Sequence, residues 1–311
     1  VTGTGSLDPG QRDQVLRLVA EAAEADGVAP LSEQAMLHVR YGGPAAPDDQ
    51  DRDRAAGGSA EAGPAGLDLL VTAGGVITGY AHLDWEEPGL ASAELVTGPG
   101  HRRQGTGRAL LDGLIQRAGS GTLRVWAHGD LPAAAALARS AGLNRVRALF
   151  QLSRPLRDPL PEPSLPAGIT LRTFVPGQDE EAWLRLNALA FAHHPEQGAW
   201  TRIDLDLREQ EAWFDPAGFF LAERDGRLAG FHWTKVHDGE TGEVYVVGVD
   251  PAEQGSGLGR ALTLTGLRHL RDDRGLAEVM LYVDEENQAA VRMYTTLGFT
   301  LAATDVMYGT G

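Results

Sequence analysis

Two stretches of the chain carry closely similar glycine-rich cores. One reads Arg102-Arg103-Gln104-Gly105-Thr106-Gly107-Arg108, the other Gln254-Gly255-Ser256-Gly257-Leu258-Gly259-Arg260, and they lie nearly half a chain length apart. Each follows an apolar, strand-like run and precedes a helix-like one. A strand that turns through glycines into a helix presents unpaired backbone N–H groups and the positive end of the helix dipole, which together make an anion site. Glycine also lets the backbone approach phosphate oxygens with no Cβ in the way. The spacing of Gly255, Gly257 and Gly259 suits a pyrophosphate. Neither copy ends in the Gly-Lys-Ser/Thr of a P-loop. The second follows several strands and spaces its glycines unlike a dinucleotide fingerprint. On these residues alone each turn suits either a pyrophosphate cradle or a helix start whose glycines serve close packing.

Composition limits what chemistry such turns can support. The chain of 311 residues has 43 acidic against 27 basic residues, a formal charge of −16. That argues against nucleic acid as a partner, which needs a basic stripe. There are no cysteines, so zinc-thiolate sites, disulfides and thiol nucleophiles are excluded. Lys235 is the only lysine. No apolar run reaches the roughly 18 residues of a membrane helix, and no signal peptide is visible. The expectation is a soluble, cytoplasmic, monomeric protein, an internal pseudo-dimer with no membrane partner and no metal.

The elements that must position the turns repeat in the same order. In the second half, strands are expected at 169–175, 218–224, 227–237, 242–250, 277–283 and 299–307, with helices at 179–192, 202–213, 254–272 and 286–296. Asp225-Gly226 marks a hairpin. In the first half, helices are expected at 10–25, 32–40, 104–118 and 131–140. Strands are expected at 67–72, 76–83, 91–97, 122–127 and 145–152, with a hairpin at Gly74-Gly75 and no evident opening strand. The fold class is α/β: two tandem domains, each a mixed, mostly antiparallel sheet with flanking helices. The expected domains are 1–154 and 169–311. Between them lies 155–168, where five prolines suit a semi-rigid linker. Residues 42–66 hold no large apolar side chain and are expected to be disordered.

The sequences of both turns, with this element order, resemble the GNAT-type N-acetyltransferases, whose Q/R-x-x-G-x-G/A motif binds the pyrophosphate of coenzyme A. Finer stretches resemble the mycothiol synthase branch of that family: "EADGVAPLSEQ" (24–34), "VWAHGDLPAAAALARSAGL" (125–143), "AFAHHPEQGAW" (190–200), "GFHWTKVH" (230–237), "GEVYVVGVDP" (242–251) and "LYVDEENQAAVRMYTTLGF" (281–299). The resemblance covers nearly the whole chain apart from 42–66. It implies acetyl transfer from acetyl-CoA, a co-substrate, to the cysteinyl amine of cysteinyl-glucosaminyl-inositol.

Roles then follow from the matched positions. An α-amino group of pKa ~7.7–8.0 is mostly protonated at pH 7, so attack needs a base. The resemblance implies Glu243 for that role. It implies Tyr294 as the group facing the departing thiolate. A phenol near pKa 10 gives its proton uphill to a thiol near 8.5, so Tyr294 is expected to donate a hydrogen bond, with full transfer only if its pKa is lowered. With no cysteine, direct attack is favoured over an acetyl-enzyme. The resemblance places acetyl-CoA on Val247, Gly248, Val249, the turn from Gln254 to Arg260, Asn287 and Arg292, with the Val247 N–H polarising the carbonyl. A second such site would use Leu95, Val96, Thr97, Arg103, Gln104, Gly105, Thr106, Gly107 and Arg108. The amine substrate would be held by Glu33, Glu196, Lys235, Glu243 and Tyr282.

Aligning the glycine motifs sets Ala91 opposite Glu243, and aligning the helix ends sets Ala138 opposite Tyr294. Glu94 is three residues from Ala91, which on a regular strand turns it to the other face. The first half is therefore expected to keep the CoA turn and to do no chemistry. Two alternatives remain: another tandem enzyme acetylating an aminoglycoside or a peptide N-terminus, or a non-catalytic acetyl-CoA sensor.

Overall fold

The computed structural model describes residues 1–42, 66–237 and 240–310, without the side chains of Pro195 and Glu196. The expectation of disorder at 42–66 falls on 43–65, outside the described residues. The chain forms two compact units: Val1–Ala148 with Thr304–Gly311, and Leu149–Ala303.

Unit 1 contains β1 (Thr2–Thr4), α1 (Pro9–Asp26), α2 (Glu33–Tyr41), β2 (Leu67–Ala73), β3 (Val76–Glu87), β4 (Leu90–Thr97), α3 (Thr106–Ala118), β5 (Thr122–Ala127), α4 (Pro132–Ser140) and the start of β6 (Asn144–Pro155). Its sheet runs β1-β2-β3-β4-β5 and then Val306–Gly309 from the end of the chain. Only β4–β5 is parallel among these pairs. Local chemistry sets the elements. Asp8 and Gln11 form a capping box at the start of α1, Pro9 takes its first turn, and left-handed Gly27 ends it. Val15, Leu18, Val19 and Ala22 are its buried residues, one stripe at helical spacing.

Unit 2 contains the rest of β6, then β7 (Ile169–Thr173), α5 (Glu180–Ala190), α6 (Pro195–Gly198), α7 (Arg202–Glu209), β8 (Phe219–Arg224), β9 (Arg227–Val236), β10 (Thr241–Val249), α8 (Leu258–Arg268), β11 (Glu278–Asp284), α9 (Gln288–Thr296) and the start of β12 (Thr300–Gly309). Its sheet order is β6-β11-β10-β9-β8-β7, with β10–β11 parallel. One face carries an aromatic core of Trp183, Phe219, Phe231 and Trp233 with Leu205 of α7. The other carries Leu264, Leu267, Leu281, Val283, Tyr294 and Phe299. Truncating one of the buried aromatics to Ala would cost about 3–5 kcal/mol.

Most expected elements are present, and the differences have local causes. Both expected hairpins turn on consecutive residues of positive φ, Gly74 and Gly75 at 58° and 82°, Asp225 and Gly226 at 51° and 74°, as a two-residue type I′ turn requires. An opening strand does exist: β1 pairs with β2 through three residues, too few to give a sequence pattern. The expected helix at 254–272 begins at Leu258 and passes into a π-helical turn at His269. The helix expected at 202–213 ends at Glu209.

The division of the chain departs from the expected boundaries. The proline-rich segment 155–168 is no free spacer, because the leucines among its prolines pack. Leu156 and Leu160 are buried in the core of unit 2, and the Leu156 N–H donates to the Ala277 carbonyl at 2.8 Å. The last strand, expected within the second domain, places Val306–Gly309 on β5 in unit 1.

Candidate active site

The site is built on β10. Glu243 stands opposite Lys235 of β9. The register then slips: Val244 faces Thr234 and Val246 faces Trp233, leaving Tyr245 as an extra residue in a β-bulge. Tyr245 and Val246 consequently share a face, packing in the aromatic core, whereas Val244 and Val247 pack under α8 and α9. By the same alternation Glu243 and Lys235 look toward the aromatic side.

The parallel pairing of β10 with β11 runs from Thr241↔Glu278 to Glu243↔Met280 and goes no further. Glu243 thus sits where the two strands part. It is only 6% exposed. Its Oε2 lies 2.8 Å from His237 Nε2, and the His237 side chain is 40% exposed. A proton arriving on Glu243 has a hydrogen-bonded path to solvent through that imidazole. Lys235 is buried, with Nζ 4.5 Å from the Trp213 ring and 5.1 Å from the Tyr245 ring. The Tyr245 hydroxyl accepts from Arg208 Nε at 2.7 Å, and the Arg208 guanidinium stacks 3.7 Å from Trp200. Tyr282 on β11 is exposed. Its neighbours Leu281 and Val283 face α8 and α9, so Tyr282 shares the face of Glu243 and Lys235. Glu196 lies in α6, which is tied to α5 by Asn187 Nδ2 donating to the Gln197 carbonyl at 2.7 Å. The expectation for its side chain falls outside what is described.

The opposite face holds the anion turn. Gly255 and Gly257 have φ of 78° and 90°, a conformation that costs other residues about 1–2 kcal/mol. Gly257 begins α8 and offers no side-chain cap, and the Leu258 N–H reaches Ser256 Oγ at 3.4 Å. Gln254, Gly255 and Ser256 are exposed, while Leu258 is buried beneath the turn. Gly259 has room beside Val249, and Arg260 reaches Thr296 Oγ1 at 3.4 Å. This cradle fits a pyrophosphate. Val247 and Val249 pack against Leu258 and Leu262 of α8. Gly248 serves packing: a Cβ there would lie 2.4 Å from the Phe231 ring. Asn287 caps α9, accepting from the Ala290 N–H at 3.1 Å, and Arg292 is exposed. Tyr294 is buried, edge-on to Phe299 at 5.7 Å. Burial pushes its hydroxyl up to about 12. Giving a proton to a thiolate near 8.5 would then be uphill by roughly 5 kcal/mol.

Unit 1 repeats the cradle. Arg103 and Gly105 have φ of 61° and 90°, matching Gly255 and Gly257, and α3 likewise starts without a side-chain cap. Arg102 anchors the turn through two 2.7 Å bonds to Asp26. Gln104 donates to the Gly100 carbonyl, and Arg108 is paired with Asp112. Thr106 caps no group here but opens α3, and Gly107 lies close to Thr97 and Leu137. Leu95, Val96 and Thr97 end β4 as Val247, Gly248 and Val249 end β10.

The bulge changes the residue-by-residue match. The β3–β4 ladder runs without a slip from Gly79↔Thr97 to Trp85↔Ala91. Counted from that end, Ser92 and Asp84 occupy the rung that Glu243 and Lys235 occupy in unit 2. Ala91, expected opposite Glu243, is one residue off because a bulge adds a residue to β10. Glu94 is therefore on the same face as that rung, contrary to expectation. It is engaged elsewhere: the Ser32 N–H donates to Glu94 Oε2 at 2.6 Å, and His128 Nε2 lies at the ion-pair distance of 3.5 Å. His128 Nδ1 meets Asp305 at 3.0 Å. Burial pulls the His128 pKa down, but its carboxylate partners prevail and hold it at about 10. Ala138 does match Tyr294, since each carbonyl accepts from the residue three and five positions on. With no ring there, a cavity of about 40 Å³ opens beside Ala138, Leu95, Ala127 and Tyr308. Glu33 opens α2 in unit 1, next to its cap Ser32.

The family model of the acetyltransferase (GNAT) family matches residues 35–143 and again 183–299. The chain belongs to the GNAT acetyltransferase family. Both units carry the fold, and membership makes the chain an acetyl-CoA-dependent acetyltransferase. The chain is 59% identical over 99% of its length to a protein from Thermomonospora curvata named mycothiol acetyltransferase, covering 96% of that protein. A Streptomyces coelicolor protein of the same name is 53% identical over 98% of this chain and 93% of its own length. Among solved structures, a tandem GNAT protein from the clavulanic acid biosynthesis pathway aligns over 99% of this chain and 97% of its own. The TM-score is 0.71 at 23% identity, a likeness of fold.

The acetyltransferase also contains site residues the sequence reasoning passed over. His237, the bulge at Tyr245 and the Trp213–Lys235 contact were not singled out. His237 had a signal: it follows Lys235 by two along one strand and therefore shares its face.

Proposed function

We propose that unit 2 transfers the acetyl group of acetyl-CoA to the cysteinyl amine of cysteinyl-glucosaminyl-inositol, giving mycothiol, and that unit 1 is not catalytic. The observation that carries this is Glu243, buried at the point where β10 and β11 part and hydrogen-bonded to His237. The near full-length likeness to proteins named mycothiol acetyltransferase supports the substrate.

Acetyl-CoA would lie on the α8 side, with its pyrophosphate on the N–H groups of the 254–260 turn and its thioester arm along Val247, Gly248 and Val249. The amine would come from the side of Lys235 and Tyr282. Glu243 takes the proton of the ammonium and passes it to His237. The neutral amine attacks the thioester carbonyl, the nitrogen of the tetrahedral intermediate gives up its second proton to Glu243, freed again through His237, and the intermediate collapses with cleavage of the C–S bond. Tyr294, on the other face of the sheet, donates a hydrogen bond to the leaving thiolate, which takes its proton from solvent. Nucleophile and leaving group are thus served from opposite sides of the sheet. With no cysteine in the chain, attack in a ternary complex is the simpler course.

Incubation with acetyl-CoA and cysteinyl-glucosaminyl-inositol, following CoA release and product mass, tests the substrate. One acetyl transferred per CoA released is expected. Turnover of an aminoglycoside or a peptide amine in its place would reject this substrate while keeping the chemistry.

A further inference from the structure

Unit 1 buries charge at places where unit 2 buries aromatic rings. Asp68 of β2 pairs with His82 of β3, as Phe219 of β8 pairs with Trp233 of β9. The fold itself therefore needs no charge at these rungs, and a carboxylate buried as Asp68 is, fully, costs several kcal/mol unless compensated. His82 Nδ1 lies 2.9 Å from Asp68 Oδ1, and His38 Nε2 of α2 lies 3.2 Å from Asp68 Oδ2. The two imidazole rings lie side by side with centroids 3.9 Å apart. One donor atom from each of His38, Asp68 and His82 falls within 4.8 Å of the others.

We propose that His38, Asp68 and His82 bind one first-row divalent cation of the Zn²⁺, Co²⁺ or Ni²⁺ class. Ligand atoms about 2.0–2.1 Å from such an ion, at tetrahedral or octahedral angles, stand about 3.0–3.4 Å apart, and the two imidazoles stand 2.9 and 3.2 Å from separate oxygens of Asp68. The set of two imidazoles and one carboxylate suits this class and not Mg²⁺ or Ca²⁺, which take oxygen ligands. Both supports expected of a metal site are in place. Asp84 Oδ2 holds the other nitrogen of His82 at 3.0 Å, and the Tyr80 hydroxyl donates to Asp68 Oδ1 at 2.7 Å. The ligands come from a helix and two strands, so the ion would pin α2 to the sheet of unit 1. It has no part in acetyl transfer, and it departs from the expectation of a metal-free chain.

Chelator-treated whole protein is titrated with Co²⁺ and then Zn²⁺, alongside His38→Gln, whose amide can still hydrogen-bond Asp68. The wild type should take up one equivalent of Co²⁺ with visible ligand-field bands, lose them to Zn²⁺, and melt at higher temperature with Zn²⁺ present. His38→Gln should fold, by circular dichroism, and lose all three effects. Absence of stoichiometric binding by the wild type, or equal binding by His38→Gln, overturns the site and leaves a hydrogen-bonded network. If His38→Gln fails to fold, X-ray absorption of the Zn²⁺-loaded wild type decides: two imidazoles in the coordination shell uphold the site, and fewer overturn it.

Discussion

Glu243 and Ser92 occupy the same rung of two sheets built alike, and the residues around them part company. In unit 2 the rung faces Lys235 and the strand then bulges at Tyr245, with His237 on the carboxylate. In unit 1 the rung faces Asp84 and the ladder continues without a slip there. The helix that follows the fifth strand of each repeat carries Tyr294 in one and Ala138 in the other. The glycine turns, by contrast, superpose in conformation down to their left-handed residues. The turn backbone is alike in both units, whereas the Glu243–His237 contact and the tyrosine are found in unit 2.

The largest effect should come from the rung itself. Glu243→Gln is expected to lower kcat by roughly 10²–10⁴-fold with acetyl-CoA affinity unchanged by calorimetry, while Ser92→Ala leaves kcat alone. A large loss from Ser92→Ala would erase the distinction between the units. Tyr294→Phe should cost less, about 10–100-fold, the worth of one hydrogen bond to a charged sulfur. Because its pKa stands near 12, the pH–rate profile should show no alkaline limb that the Phe variant removes. Finding such a limb would make Tyr294 a true proton donor.

The turns give a smaller contrast. Gly257→Val must adopt φ near 90°, at about 1–2 kcal/mol, and should raise the KM for acetyl-CoA roughly several-fold by that cost. Gly105→Val meets the same strain and should leave steady-state turnover nearly intact. Equal losses would mean that unit 1 takes part in the reaction.

The two units should also respond oppositely to pH. His128 in unit 1 has its pKa raised to about 10, so its stabilisation is complete below about 6.5 and is lost as pH rises through 10. His232 in unit 2 is fully buried, donates from Nδ1 to the Leu262 carbonyl at 2.8 Å, and has its pKa pushed down to about 4 by burial. Its unfolded form gains a proton below about 6.5 while the folded form does not, so stability falls as pH drops toward 4. Each effect is at most a few kcal/mol. Hydrogen exchange resolved by peptide should show unit 1 loosening first in alkali, with His128→Gln flattening that trend, and unit 2 loosening first in acid.

Much of this was legible in the sequence, because periodicity and turn chemistry act locally. The Asp225-Gly226 hairpin, the strand expected at 242–250 and the helix after the glycine turn, found to start at Leu258 and not at 254, all follow from neighbours along the chain. Glu243 and Tyr294 were found through resemblance, and the structure sets them on opposite faces of the unit 2 sheet. What could not be read depends on contacts distant in sequence. The bulge at Tyr245 shifts the match from Ala91 to Ser92, and nothing in the local pattern announces it. Leu156 and Leu160 turn a proline-rich stretch into packed structure only because the unit 2 core receives them. Asp68 and His82 look like ordinary strand residues until β2, β3 and α2 meet.

The role of Glu243 is tested most directly by the pH dependence of the Glu243→Gln variant. A missing base matters while the substrate amine is protonated and ceases to matter above its pKa of about 7.7–8.0. The deficit of the variant against wild type in kcat/KM should therefore shrink as pH rises through that range. A deficit that stays constant from acid to alkaline pH would contradict proton transfer to Glu243.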